Sequence, residues 1–225
     1  MSRDESAPGA PRILVLGIGN LLWADEGFGV RAAEAMAAEW DFPENVTVMD
    51  GGTQGLYLLP HLEETDALIV FDAIDYGLTP GEMKIVRGDD VPSFMGAKKM
   101  SLHQTGFQDV IATAELMGYR PENLLLIGVQ PEELEDYGGG LRAPVAAQIQ
   151  PAIDIALAEL RDAWGVTPTR REQRAEAPLA DPSISRDAYE GGRPSEDEAC
   201  RVGDDRFIRL RAEALAAEAD LLSGA

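Results

Sequence analysis

Four short apolar runs recur along the first two thirds of the chain: Arg12–Leu16, Val46–Met49, Ala67–Phe71 and Leu124–Ile127, each followed by Gly or Asp. They are continuous rather than alternating, the pattern of strands buried on both faces. Between the first two, Gly27–Trp40 carries Phe28, Ala32, Ala35, Met36 and Ala38 near helical spacing. Alternation of this kind predicts an α/β fold: a three-layer, open, mostly parallel twisted sheet of about five strands flanked by helices. Glu82–Val86 follows the turn residues Thr79, Pro80 and Gly81 after a connection too short for a crossover helix, so it reads as an antiparallel edge strand. Further helices are expected at Phe107–Met117 and Ala143–Trp164. The latter places Val145, Ile149, Ile153, Ala156 and Leu160 on one face, with Pro151 expected to kink or split it.

Flanking segments lack that pattern. Residues 1–11 are small and polar and read as a disordered N-terminal tail, followed by an α/β domain over residues 12–165. Residues 166–205, rich in Pro, Arg, Glu, Ser and Gly, read as a disordered linker. Helix-forming composition returns in residues 206–225, where Ile208, Ala212, Leu215, Ala219 and Leu222 form a stripe suited to docking on the domain, a partner or another copy.

Composition narrows the function. Forty Asp and Glu against nineteen Lys and Arg give a formal net charge of −21, which repels nucleic acid and anionic membrane surfaces. The densest basic stretch, Arg170, Arg171 and Arg174, lies in the expected linker. The single cysteine, Cys200, excludes an intramolecular disulfide and a zinc site built from several cysteines of one chain. No apolar leader and no spanning run of roughly 18 apolar residues is present, so a cytoplasmic, unexported protein is expected.

Candidate chemistry begins directly after the first strand, in Gly17–Val30. A dinucleotide fingerprint needs a third glycine where Leu22 stands, and Asp25 and Glu26 place two negative charges where a phosphate would sit. Two like charges about 4 Å apart cost about 4 kcal/mol at an effective dielectric near 20, so this loop suits a cation instead. Asp72 ends the third apolar run and His103 lies in Ser101–Gly106; with Glu26, both fall in loops leaving the carboxyl ends of strands. Two carboxylates and an imidazole make a mixed oxygen and nitrogen site for a divalent metal such as nickel, zinc or cobalt. Each residue also has an ordinary structural role available, at a helix N-terminus or a strand-end turn. Serine and cysteine hydrolase motifs are missing: there is no GxSxG or HExxH, and Cys200 lies in the expected linker.

Five segments in order, GIGNLLWADEGFGV at Gly17–Val30, DGGTQG at Asp50–Gly55, FDAID at Phe71–Asp75, HQTG at His103–Gly106 and GVQPE at Gly128–Glu132, resemble the nickel-iron hydrogenase maturation endopeptidases. The likeness runs from about Arg12 to Trp164. It implies an enzyme that removes a C-terminal extension from the precursor of a hydrogenase large subunit after nickel has been inserted. Carried over by position, the catalytic and metal-contacting residues are Glu26, Asp72 and His103, and Asp50, Gly51, Gly52, Thr53, Gln54 and Gly55 form a substrate-recognition loop. Nickel would arrive with the substrate, another divalent metal being an option in isolation. It would serve recognition alone, or polarise the scissile carbonyl or a water while Asp72 or Asp25 assists proton transfer. The chain continues about sixty residues past Trp164, a departure from the family pattern that offers a surface for other maturation factors. Rival readings are a nickel-dependent chaperone or sensor that docks on the precursor without cutting it, a nucleotide or sugar-phosphate binder, and a metallopeptidase with another substrate.

Overall fold

The computed structural model describes residues 10–91, 102–176, 179 and 182–192. The order begins with β1 (Ile13–Ile18), a 3-10 turn (Ala24–Gly27), α1 (Phe28–Glu39), β2 (Trp40–Asp41) and β3 (Val46–Gly52). A second 3-10 turn (Gly55–Leu58) leads into α2 (Leu59–Glu63), β4 (Ala67–Ala73) and β5 (Met83–Arg87). Then come α3 (Leu102–Met117), β6 (Asn123–Val129), α4 (Ala143–Ala146), α5 (Ile149–Trp164), β7 (Thr169–Arg170) and α6 (Arg186–Gly191).

The main sheet has the order β3-β1-β4-β6-β5, parallel throughout except for β5, which runs antiparallel to β6. Because β1 connects through α1 to β3 on one side while β4 lies on its other side, the strand order reverses between β1 and β4. Loops diverge at such a point and leave a crevice beyond the carboxyl ends of the strands.

Both faces of the sheet are covered, which explains the continuous apolar runs. Alternate residues point to opposite sides. Val15, Phe71 and Ile127 pack with Met36 of α1 and Ile153 of α5, while Leu16, Val70 and Leu126 pack with Leu62 of α2 and Val110 of α3. Burial of each large side chain contributes about 1.5–3 kcal/mol, so the two clusters supply the main driving force.

The glycines of the first motif let α1 descend onto the backbone of the sheet. A Cβ on Gly29 would lie 2.2 Å from the carbonyl oxygens of both Ile18 and Phe71, and one on Gly17 would lie 2.4 Å from the Gly29 oxygen. The start of α1 therefore sits directly over the β1–β4 crevice.

Three expectations change. The expected helix over Ala143–Trp164 divides at Ala147 and Gln148, whereas Pro151 sits in the first turn of α5, where its missing N–H breaks no helical bond. Residues 166–176, expected as linker, instead follow the far end of α1. Val166 is buried, β7 pairs with β2, and Arg170 and Arg171 reach Glu39 and Asp41. Backbone hydrogen bonds hold the segment in place, from Arg171 to Glu39 at 2.8 Å and from Ala175 to Ala38 at 2.9 Å, and the exposed ion pairs add little to them. At the other end, Pro11 accepts a 2.8 Å hydrogen bond from Asn45. The rest of the expected N-terminal tail, the expected C-terminal helix and Cys200 lie outside the described residues. Among the described residues no helix is long and apolar enough to cross a membrane.

Candidate active site

The loop between β1 and α1 is folded back on itself. Gly19, at φ 141°, donates to Gly52 at 3.1 Å, and a Cβ there would collide with the Glu26 carbonyl. Ala24 adopts φ 32°, a left-handed conformation that costs a residue with a side chain about 1–2 kcal/mol. The bend is held by Asp25, which is fully buried. Its carboxylate accepts the backbone amides of Glu132 at 2.8 Å, Glu133 at 2.9 Å and Arg142 at 2.7 Å. Both oxygens are thus committed to the loop after β6. Asp25, considered from sequence as a proton-transfer group, is a structural tie.

Asp72 is in the opposite situation. It is 2% exposed at the end of β4, and its Oδ2 atom makes no hydrogen bond among the described residues. Burial pushes its pKa well above the usual carboxylate range; the Ala73 amide opposes the shift and the Glu26 charge adds to it. Glu26, half-buried at the mouth of the 3-10 turn, is therefore within electrostatic reach of Asp72 across the crevice. By strand alternation Asp72 shares the side of Leu68 and Val70, the side covered by α2 and α3.

Two residues beside it escaped the sequence reading. Gly128 pairs in register with Asp72, and a Cβ at Gly128 would stand 2.8 Å from the Tyr76 hydroxyl. The missing side chain thus makes room for Tyr76 next to the carboxylate. Burial, and then the Asp72 charge, push the Tyr76 phenol upward, so it keeps its proton at neutral pH. Gln130 organises the loop that carries Tyr76. Its Oε1 accepts the amides of Tyr76 at 2.8 Å and Leu78 at 3.0 Å, and its Nε2 donates to Asp75 at 3.0 Å. A polar residue directly after a fully apolar strand was the available signal.

Asp50 lies on the opposite face. It shares the parity of Val46 and Val48, which face α1 and α5. Burial raises its pKa, the Gly52 amide lowers it, and Glu34 and Arg31 act in opposite directions. The rest of its loop turns on Gly52 and Gly55, both at positive φ, with the Gln54 side chain donating to the Asp50 carbonyl at 3.3 Å. Gly51 packs against Leu16 and Ile18, while Thr53 and Gln54 are exposed.

His103 belongs to α3, which begins earlier than expected and takes in the residue as helix rather than loop. Its side chain lies outside the described residues. Among those described, no group of three His, Cys, Asp or Glu side chains stands together as a metal cage. Glu26 and Asp72 supply two oxygen donors that suit a divalent cation, and Asp72 has a buried lone acceptor to offer. An aromatic rim adjoins this crevice: Trp23 packs edge-on against Tyr137 with ring centroids 5.2 Å apart, and Tyr137 remains 64% exposed.

With this geometry in place, comparison with known proteins is informative. Residues 30–159 match the family described as hydrogenase maturation protease. The hydrogenase expression/formation protein HupD of Rhodobacter capsulatus is 67% identical over 197 residues, covering 88% of this chain and 93% of that protein. The hydrogenase 2 maturation protease of Escherichia coli K12 is 43% identical over 162 residues, covering 72% of this chain and 97% of that protein. Among solved structures, the hydrogenase maturating endopeptidase HybD of E. coli superposes with a TM-score of 0.67 at 43% identity, over 71% of this chain and 98% of that one. The [NiFe] hydrogenase maturation protease HybD of Thermococcus kodakarensis gives 0.55 at 28% identity, over 64% and 96%.

Proposed function

Because the chain belongs to the hydrogenase maturation protease family, and is therefore a peptide-bond hydrolase, we propose that it removes the C-terminal extension from the nickel-loaded precursor of a NiFe-hydrogenase large subunit. The observation that carries the reading is the buried Asp72 carboxylate, with one oxygen lacking a hydrogen-bond partner among the described residues, beside the Glu26 charge at the sheet's reversal point. Leaving such a group unpaired costs about 1–3 kcal/mol or more. A cation brought to the crevice would offset that cost.

In this reading nickel is part of the substrate. Glu26, Asp72 and His103 are the residues that contact it and so read the maturation state of the precursor. Divalent nickel held there supplies charge that polarises the scissile region. The protein's own contribution is to hold the peptide beside these groups. Tyr76, still protonated, presents an O–H beside Asp72 as the peptide bond is hydrolysed, and the loop Asp50–Gly55 receives the folded body of the precursor. Asp25 takes no part in proton transfer, since three backbone amides occupy it.

The test is the intact mass of a purified large-subunit precursor, with and without nickel, before and after incubation with the protein. Loss of a C-terminal peptide from the nickel-loaded sample alone is expected, and Glu26→Gln, Asp72→Asn and His103→Ala should each reduce that loss at least about a hundredfold. Equal trimming of both precursors would overturn the metal-gated reading. Unreduced trimming by all three variants would overturn the site assignment.

A further inference from the structure

Three residues stand side by side across the sheet where it meets the crevice. Asp72 of β4 pairs in register with Gly128 of β6, and Gly128 pairs in register with Lys84 of β5. Residues paired in register project to the same face. Val70, Leu126 and Val86, each two positions along its own strand, place that face on the side of α2 and α3. The middle position of the row has no side chain. The ring of Tyr76, from the connection between β4 and β5, enters the gap: a Cβ on Gly128 would stand 2.8 Å from its hydroxyl, 3.0 Å from Cε2 and 3.3 Å from Cζ.

The other end of the row holds the ring from its face. The Nζ atom of Lys84 lies 5.1 Å from the Tyr76 ring centroid, inside the distance of about 6 Å at which an aromatic face attracts a cation. A lysine on an edge strand ordinarily keeps that edge from pairing with other chains. Such a role does not require the ammonium to stand over a ring whose hydroxyl adjoins a buried carboxylate. Gln130 already fixes the backbone on either side, accepting the amides of Tyr76 and Leu78. A fixed backbone still leaves χ1 and χ2 of the ring to be chosen. Gly128 sets how deep the ring sits, and Lys84 supplies the charged contact on its face.

We infer that Lys84 is a positioning residue for cleavage: its ammonium, over the face of Tyr76, seats the ring above Gly128 so that the hydroxyl is delivered beside Asp72. The inference rests on the reading of Tyr76 as the O–H donor at the scissile bond. It also gives the first residue of the GVQPE segment a chemical reason, since a side chain at Gly128 would displace that hydroxyl.

The experiment uses the full chain with Lys84→Met, Lys84→Arg, Tyr76→Phe and the double variant Lys84→Met/Tyr76→Phe. Steady-state cleavage of nickel-loaded precursor is measured, and crystal structures of the unmodified protein and the two Lys84 variants are solved without substrate. Misplacement by about 1 Å can cost about a hundredfold in rate, so a partly released ring should lower kcat about tenfold in Lys84→Met, with KM within about twofold. Lys84→Arg keeps a cation over the ring and should recover kcat to within about threefold of the unmodified protein. The double variant should be no worse than about twofold below Tyr76→Phe, because the lysine acts only through the hydroxyl. The Tyr76 hydroxyl should stay above Gly128 in Lys84→Arg and move by more than about 1 Å in Lys84→Met. Unchanged kcat in Lys84→Met, no recovery with arginine, or the same tenfold loss when Lys84→Met is added to Tyr76→Phe would each overturn the inference. Should the unmodified protein leave the precursor intact, the cleavage reading fails on its own, and the crystal structures then decide the seating of the ring: a hydroxyl displaced in Lys84→Met and held in Lys84→Arg upholds it, and an unmoved hydroxyl overturns it.

Discussion

Replacing Asp72 with Asn is expected to stabilise the metal-free protein while ending its activity. The carboxyl group is 2% exposed, accepts the Ala73 amide, and leaves Oδ2 without a hydrogen bond among the described residues. Asn keeps the shape and the acceptor for Ala73. It removes the buried charge and the repulsion from Glu26, leaving only a neutral amide N–H unpaired. Only the excess cost of a buried charge over a buried neutral group is recovered; taking about 1 kcal/mol for it, and 2–4 °C per kcal/mol for a domain of this size, the melting temperature should rise by about 2–4 °C. Thermal unfolding followed by circular dichroism in chelator measures it. Acidification adds a check with a definite sign. Burial raises the folded-state pKa of Asp72 above its unfolded value near 3.9, so between those values the native state binds more protons, and its stability falls as pH rises. The advantage of Asn should therefore be greatest in neutral buffer and shrink in mildly acidic buffer. A melting temperature below that of the unmodified protein, or an advantage independent of pH, would refute the claim that this carboxylate is held at a cost.

Asp25→Ala leaves three amides without their acceptor and should lower unfolding free energy by about 3–5 kcal/mol in urea titrations, with fast exchange at Glu132, Glu133 and Arg142. Gly29→Ala forces a methyl group to within 2.2 Å of two carbonyl oxygens, and a loss of about 3 kcal/mol or more, measured the same way, is expected. Gln130→Ala releases the amides of Tyr76 and Leu78; cleavage should fall about tenfold or more while the urea midpoint drops by no more than the equivalent of about 3 kcal/mol.

The sheet was readable because each central strand is buried on both faces, so its apolar residues form an unbroken run that no surface helix imitates. The antiparallel edge was readable from loop length alone. Pro151 misdirected the reading of the last long helix: proline breaks an interior turn, but α5 starts only two residues before it, where its N–H has no helical acceptor to lose. The stretch after Trp164 misled for another reason. Its order comes from backbone pairing with the end of α1 and with β2, and main-chain bonds between distant residues leave no hydrophobic period. In the site, Asp25 and Asp72 are chemically the same in sequence. What separates them is a set of amides more than a hundred residues away, offered to one and withheld from the other. Asp50 differs from both by its face: its parity with Val46 and Val48 turns it toward α1, which the fold shows and a run of strand residues buried on both sides does not.

The Asp25 tie also has a consequence in time. Its three donors leave the ribosome 107 to 117 residues after Asp25 itself. At roughly 5–20 residues per second, that is a delay of about 5 to 23 s. Until Arg142 emerges, the acidic turn has no anchor and the two walls of the crevice are not joined. The two walls of the β1–β4 crevice therefore close late: an emerging polypeptide holds Glu26 and Asp72 long before it holds the amides that tie the acidic turn to the loop after β6.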